Sequence, residues 1–248
     1  MKTQLSTLLL TLLLAVPAAA ATSAPSAADL DRTLARTVRG GHVDYAGLRR
    51  DSGGLDAWLA AAAKVPEASF TGWPRDERLE FLLNLYNAAT LRLILDHYPL
   101  ESIRKIGPFW DPNKAWKLPV VAVFGRKATL NELEHELIRP VFKEPRVHFA
   151  LVCAAKGCPP LRSEAYAADR LEAQLDDQAK AFLGQRAKNR TEPATRTAYL
   201  SPIFKWYMED FGGSKAAVLR SLRPWLPAQD DWAVEWTDYD WTLNEERR

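Results

Sequence analysis

The sequence predicts an α+β protein, a single helix-rich domain with a small central sheet. Three observations carry that expectation. Segments with helical spacing of apolar residues outnumber strand-like runs, and the two kinds follow one another in no regular β-α-β order. The 248 residues also contain no internal repeat and no long low-complexity linker, a length that one core can serve.

At the N-terminus, Lys2 precedes an apolar run from Leu8 to Val16, then Pro17 and the small residues Ala18 to Ala21. This is the pattern of a secretory signal peptide over residues 1–21. Its apolar core is too short to span a bilayer, and no cysteine follows it to accept a lipid. The expected destination is therefore the periplasm or the medium. Residues 22–28 read as a short disordered Ala/Ser/Pro tail, and residues 29–248 as the domain.

The 33 lysines and arginines nearly balance 31 aspartates and glutamates, and no basic block is interleaved with aromatics. A nucleic-acid partner is not expected; a small molecule or peptide is. Nine tryptophans suit either the core or the wall of a cleft.

Taken in order, residues 29–38 have helical spacing through Leu30, Leu34 and Val38, closed by Gly40-Gly41, and residues 42–45 form a brief extended or turn segment. Residues 55–63 read as an alanine-rich helix and 69–74 as a loop. Residues 76–98 form a helix that is apolar almost all round and so belongs in the middle of the fold. It nevertheless carries Glu80, Asn84 and Asn87 on one face, at i, i+4 and i+7, with Tyr86 beside them. Buried amides must be hydrogen-bonded, so this stripe either clamps neighbouring backbone or lines a site.

Residues 116–124 have strand composition, and 125–127 form a turn. Thr129-Leu130-Asn131-Glu132 is a capping-box pattern opening a helix that runs to Arg139 and stops at Pro140. Leu130, Leu133, Leu137 and Ile138 form its inner face, and Asn131, His135 and Arg139 a flank that can edge a cleft. After the central stretch, residues 167–183 read as an outer helix, 188–195 as a polar loop and 197–200 as a strand. Ser201-Pro202 starts a helix carrying Phe204, Trp206, Tyr207 and Phe211; Ser214 caps another, and 232–241 alternate as a closing strand does.

The chemistry gathers in residues 146–166, which hold both cysteines and one of four histidines. An apolar run stopped by Gly157-Cys158-Pro159-Pro160 reads as a buried strand emerging into a loop. Cys153 and Cys158 in an exported protein suggest a disulfide, and so small a loop would shape or gate a site more than it would stabilise the fold. Alternatively Cys153 is a nucleophile activated by a histidine. On a strand His148 points away from Cys153, so His135 is the better base, with Asn84, Asn87 or Glu80 orienting it and His148 as a second site group. The histidines show no His-Glu-x-x-His spacing, and no Gly-rich nucleotide loop or Gly-x-Ser-x-Gly elbow is present. Neither a metal nor a cofactor is expected. The candidate catalytic residues are thus Cys153, His135, His148, Asn87 and Asn84, and the candidate binding residues Glu80, Tyr86, Arg139, Arg146 and Trp206.

Several ordered motifs add to this. Phe81-Leu82-Leu83-Asn84-Leu85-Tyr86-Asn87-Ala88, Leu130-Asn131-Glu132-Leu133-Glu134-His135, Arg146-Val147-His148-Phe149-Ala150-Leu151-Val152-Cys153-Ala154, Cys158-Pro159-Pro160-Leu161, Ile203-Phe204-Lys205-Trp206-Tyr207 and Tyr239-Asp240-Trp241-Thr242-Leu243-Asn244 resemble the family catalogued as domain of unknown function 547. The resemblance implies no established activity, substrate or cofactor. It does imply recurring positions at Asn84, Tyr86, Asn87, His135, His148 and Cys153. The second cysteine is less regular in that family, which weighs against a structural bridge, and Ala155 and Gly157 stand where small hydroxyl residues are common. The leading expectation is an exported thiol-dependent hydrolase or acyl/amide transferase. The alternatives are a non-catalytic ligand- or peptide-binding module and a thiol-disulfide component using Cys153 and Cys158.

Overall fold

The computed structural model describes residues 23–246, so the leader expected over 1–21 lies outside the described residues. Ahead of the first helix, Ala24 and Ala27 lie partly buried against the core. Helix α1 (Ala28–Thr37) leads into strands β1 (Val38–Arg39) and β2 (His42–Val43), an antiparallel pair. Gly40 and Gly41, at φ +55° and +83°, supply the two positive dihedrals that this two-residue turn demands. Helices α2 (Tyr45–Arg50), α3 (Gly53–Ala62) and α4 (Glu67–Thr71) follow. The last of these corrects the expected loop at 69–74, because burying Phe70 and Trp73 against Phe81 folds the segment onto the core.

Helix α5 (Arg75–His97) crosses the interior, as its all-round apolar sequence predicts. Strands β3 (Val121–Val123) and β4 (Arg126–Ala128) form a second hairpin, so the strand expected over 116–124 shrinks to its last residues and the expected turn at 125–127 becomes largely strand. Helix α6 (Leu130–Glu132) opens with the predicted capping box: Thr129 Oγ1 accepts from Glu132 N–H at 3.0 Å, and Glu132 accepts from Thr129 N–H at 2.6 Å.

Pro140 does not stop this helix. The backbone widens into a π-helical stretch over Leu133–Ile138 and continues as α7 (Arg139–Phe142), with Pro140 in the first turn of the new segment, where its missing N–H breaks no bond.

The central stretch differs from its expectation as well. Residues 147–150 are not a strand but a single helical turn, α8 (Val147–Ala150), which Pro145 starts by accepting from His148 N–H at 3.2 Å. A short apolar run buried on all sides has no periodicity to separate helix from strand, and Pro145 favours the first helical turn. Helix α9 (Leu171–Leu183) then precedes a three-stranded sheet, β5 (Arg190–Glu192), β6 (Thr197–Leu200) and β7 (Ala233–Trp236), in the order β5-β6-β7. β5 lies within the expected polar loop at 188–195. β5 runs antiparallel and β7 parallel to β6, and helices α10 (Ile203–Trp206) and α11 (Lys215–Leu222) make the crossover. The fold is α+β, its strands in small sheets of two or three.

Two apolar clusters meet at α8. Val147 and Ala150 face the cluster around α5, while Phe149 faces Phe182, Phe204 and Phe211 under the three-stranded sheet. The chain that follows α8 is held from both sides by side-chain amides. On α5, Asn87 donates to Ala150 O at 2.9 Å and accepts from Val152 N–H at 3.0 Å. One turn earlier, Asn84 donates to Tyr166 O at 3.0 Å and accepts from its N–H at 2.9 Å, while Glu80 accepts from Ala168 N–H at 2.9 Å. From α9, Gln174 accepts from Ala167 N–H at 2.8 Å and donates to Ala165 O at 2.9 Å. Each amide supplies one donor and one acceptor, the pair that a neighbouring strand would have supplied. The polar stripe read from the sequence is therefore a backbone clamp.

Two predictions follow from the clamp. Asn87→Leu strands a buried carbonyl and a buried N–H, and urea unfolding should register a loss of about 1–3 kcal/mol; an unchanged midpoint would show that the clamp carries no stability. Glu80 behaves differently, because desolvation pushes its carboxyl up to about 7 although the Ala168 N–H pulls the other way. The folded state thus binds this proton more tightly than the unfolded chain, and stability present at low pH is lost as pH rises through that window. Glu80→Gln keeps an acceptor oxygen there. After discounting for solvent screening at this partly exposed position, it should be more stable than the parent by about 1 kcal/mol near pH 8 and equal to it near pH 4.

Candidate functional site

A cleft of about 680 Å³ opens between the α6–α7 helix, the loop after α8, helix α10 and the C-terminal segment. One wall is aromatic. Trp206 stacks on Trp241 with ring centroids 5.9 Å apart, Tyr239 lies 4.6 Å from Trp241, and Trp116 meets Trp241 edge-on at 6.1 Å. Arg104 lies over the Trp241 ring at 4.9 Å and itself lines the cleft. Trp206, an exposed residue on a four-residue helix, presents the most open apolar surface of this wall.

The edge of the cleft holds the two cysteines, which are bonded to each other with Sγ atoms 2.06 Å apart. Cys153 is partly exposed and Cys158 buried. The loop between them is shaped by the C-terminal segment: Lys156 N–H donates to Thr242 O and Gly157 N–H to Asp240 O, both at 2.8 Å, and Asn244 N–H donates to Ala154 O at 2.9 Å. This pairing carries Tyr239 across the loop. Its hydroxyl lies 3.2 Å from Cys153 Sγ and 3.2 Å from Cys158 Sγ, and Cys153 N–H donates to Cys158 Sγ at 3.0 Å. Gly157 is required for this approach, since a Cβ there would sit 2.8 Å from the Tyr239 ring. A hydroxyl-bearing side chain at 157 and this placement of Tyr239 exclude each other.

The opposite wall is polar. Asn131, His135 and Arg139 all face the cleft, as their helical spacing predicts, and Glu134 joins them. Arg139 donates Nε to Asp210 Oδ2 at 2.6 Å and Nη2 to Asp210 Oδ1 at 3.0 Å, and a third nitrogen lies 2.8 Å from His135 Nδ1. His135 is exposed and leans on this guanidinium. His148 is 4% exposed, places Nε2 2.6 Å from Asp210 Oδ2, stacks on Tyr207 at 3.9 Å and has Nδ1 4.0 Å from Glu134 Oε1. Tyr86 donates to Glu134 Oε2 at 3.5 Å.

These contacts set the protonation states. Burial lowers His148 below the usual histidine range, against the pull of Asp210 and Glu134. Burial alone would raise Asp210, but the hydrogen bonds from Arg139 and His148 outweigh it and hold the carboxylate below its usual value. Tyr86, Tyr207 and Tyr239 are raised chiefly by desolvation and further by the charge on Glu134, so all three stay hydroxyl donors at neutral pH. Among the described residues no group of histidine, cysteine and carboxylate side chains has the spacing to hold a metal ion.

Of the residues singled out from the sequence, Cys153, Cys158, His135, His148, Tyr86, Arg139 and Trp206 line this cleft. Asn84, Asn87 and Glu80 do not; their polar atoms are spent on backbone. Arg146 does not either, being tied to Glu144 and Glu172 at 2.7 Å each. Sequence reasoning passed over Glu134, Tyr207, Asp210 and Tyr239. Glu134, Tyr207 and Tyr239 fall inside the motifs quoted above, while Asp210 carries no local signal, because only the fold brings it to His148 from 62 positions away.

Fold and site together define a helix-rich α+β protein with an aromatic cleft closed on one edge by a disulfide. Residues 70–183 match the model of the family described as protein of unknown function, DUF547. The motifs at 203–207 and 239–244, which supply Trp206, Tyr207, Tyr239 and Trp241, lie beyond that span. No curated protein and no solved structure matches the chain.

The Asp210–His148 contact is checked by NMR titration of the His148 ring. Its midpoint should fall below the usual value near 6.5, and Asp210→Asn should lower it further by removing the partner that favours the imidazolium. A midpoint above 6.5 in the parent would contradict the burial of this ring.

Proposed function

We propose that this chain is a thiol-disulfide exchange protein whose cleft binds a polypeptide and whose Cys153–Cys158 bridge accepts two electrons from it. The observation that carries this reading is the environment of the bridge. A partly exposed sulfur faces an aromatic cleft, while the buried sulfur accepts from Cys153 N–H at 3.0 Å, and the Tyr239 hydroxyl, 3.2 Å from both sulfurs, can turn to the one that leaves.

The chemistry follows from that asymmetry. A substrate thiolate attacks Cys153 Sγ, the S–S bond breaks, and Cys158 leaves as a thiolate that the two donors stabilise. A second substrate thiolate then attacks the substrate sulfur of the mixed disulfide. This expels Cys153 as a thiolate and leaves an oxidised substrate and a reduced protein. A second disulfide compound, accepting the two electrons, restores the bridge. The aromatic wall supplies apolar contact for an extended chain, and Asn131, His135 and Glu134 opposite supply hydrogen-bond partners for its amides. The signal-peptide pattern of residues 1–21 supports export to an oxidising compartment, where such a bridge persists.

A second reading is favoured by the placement of His135 in the same cleft as Cys153. Once reduced, Cys153 would serve as the nucleophile of an acyl or amide transferase. Cys158 separates the two, being essential to exchange and dispensable for acyl transfer.

The oxidised protein, mixed with a reduced peptide containing two cysteines and flanking aromatic residues, should oxidise it stoichiometrically and gain two alkylatable thiols by mass spectrometry. Cys158→Ser should end this turnover, and Tyr239→Phe should slow it about tenfold by removing one donor from the leaving sulfur. Failure of the parent protein to oxidise the peptide, or to form a mixed disulfide at Cys153, would sink the exchange reading. Acylation of Cys158→Ser by an activated ester at Cys153 would then favour the transferase.

A further inference from the structure

Residues 106–113 form a closed loop on the surface. Its base is drawn together by contact between two 3-10 turns, Ile103–Lys105 and Lys114–Lys117. Gly107, at φ +106°, lies so close to Lys114 that an added Cβ would come within 2.6 Å of that side chain. At the tip, Asp111 N–H donates to Pro108 O at 3.0 Å, which puts Phe109 and Trp110 at the two central positions of a tight turn. Phe109 is 91% exposed and Trp110 74%, and their rings meet edge to face at 5.1 Å. The turn therefore holds two large apolar side chains in water, with each other as their ring contact.

The charges around them are cationic. Asp111, the carboxylate of the loop, is neutralised by Lys117 at 3.0 Å. Lys105 and Lys114 flank the base, and among the described residues neither is held in an ion pair. Two rings on a turn offer far less than the roughly 800 Å² per partner of a stable protein interface, and they project instead of forming a face. A wedge of this shape suits a soft medium that can close around it. Tryptophan is favoured at the headgroup level of bilayers, where its ring meets apolar chains and its N–H meets water, and lysines beside it meet lipid phosphates.

We infer that the Phe109–Trp110 loop is a membrane-interface anchor that inserts its two rings among the headgroups of an anionic phospholipid bilayer, with Lys105 and Lys114 against the lipid phosphates. Asn113, Trp116 and Lys117, at the end of the same loop and just after it, line the cleft. Anchoring therefore brings the mouth of the cleft to the membrane surface. This inference stands whether or not the bridge exchanges with substrate thiols.

Co-sedimentation of the protein with vesicles of mixed phosphatidylglycerol and phosphatidylcholine, compared with pure phosphatidylcholine, tests it. The protein should bind the mixed vesicles, bind the neutral ones at least fivefold or so more weakly, and dissociate with added salt. Phe109→Ser combined with Trp110→Ser should weaken binding about tenfold or more, and Lys105→Gln or Lys114→Gln about fivefold each. Thermal unfolding should be unchanged in all of them, since the tip makes no core contact. Absence of vesicle binding by the parent protein, or undiminished binding by the double serine variant, would overturn the inference. If vesicles are ignored while the double variant loses capture of the dithiol peptide, the loop is a wall of the substrate cleft instead.

Discussion

The clamp that α5 and α9 place on residues 150–168 is the constraint on which the rest of this structure depends. That segment runs through the interior without belonging to a sheet, so its backbone groups need partners that water cannot supply. Asn84, Asn87, Glu80 and Gln174 provide them, each from a helix turn that packing has already fixed. A buried loop becomes affordable only under this condition. What the clamp secures is position, because Cys153, Cys158 and the left-handed Ala154 all lie between its rungs.

A second tie comes from the far end of the chain. The backbone of residues 240–244 pairs with Ala154, Lys156 and Gly157, and this pairing lays Tyr239 over the bridge. The absence of a Cβ at Gly157 admits the tyrosine ring. The glycine at 157 thus matches a contact made by a residue more than eighty positions later. The cleft has a further asymmetry: its aromatic wall comes mostly from the C-terminal third, and its polar wall mostly from the widened α6–α7 helix. The π-helical turn lets that helix pass Pro140 while keeping Glu134, His135 and Arg139 on the cleft side.

On the polar wall, the charges form one connected set. Arg139 anchors Asp210, Asp210 anchors His148, and His148 stacks on Tyr207 beside Glu134. Burying an imidazole without its proton, next to two carboxylates, is possible because the guanidinium already compensates Asp210. The arrangement keeps a neutral ring and a row of hydroxyl donors at the edge of a cleft whose other wall is apolar. Such a surface is suited to holding polar backbone on one side and side chains on the other.

The sequence by itself determined the α+β class, the central helix, the capping box at Thr129 and the flank Asn131, His135 and Arg139, because each is a local periodic or capping signal. It also marked Cys153 and Cys158 as a possible pair. It could not separate helix from strand over residues 147–150, since a short run buried on every side has no periodicity to read. Nor could it decide whether Asn84 and Asn87 face a ligand or a backbone: the stripe is legible on the helix, but its partner is another element. Asp210 and Tyr239 reach the site only through packing between elements distant in sequence. Tertiary structure decided those placements, because a hydrogen-bond partner across such a distance is set by how the elements pack and leaves no pattern in the residues that make it.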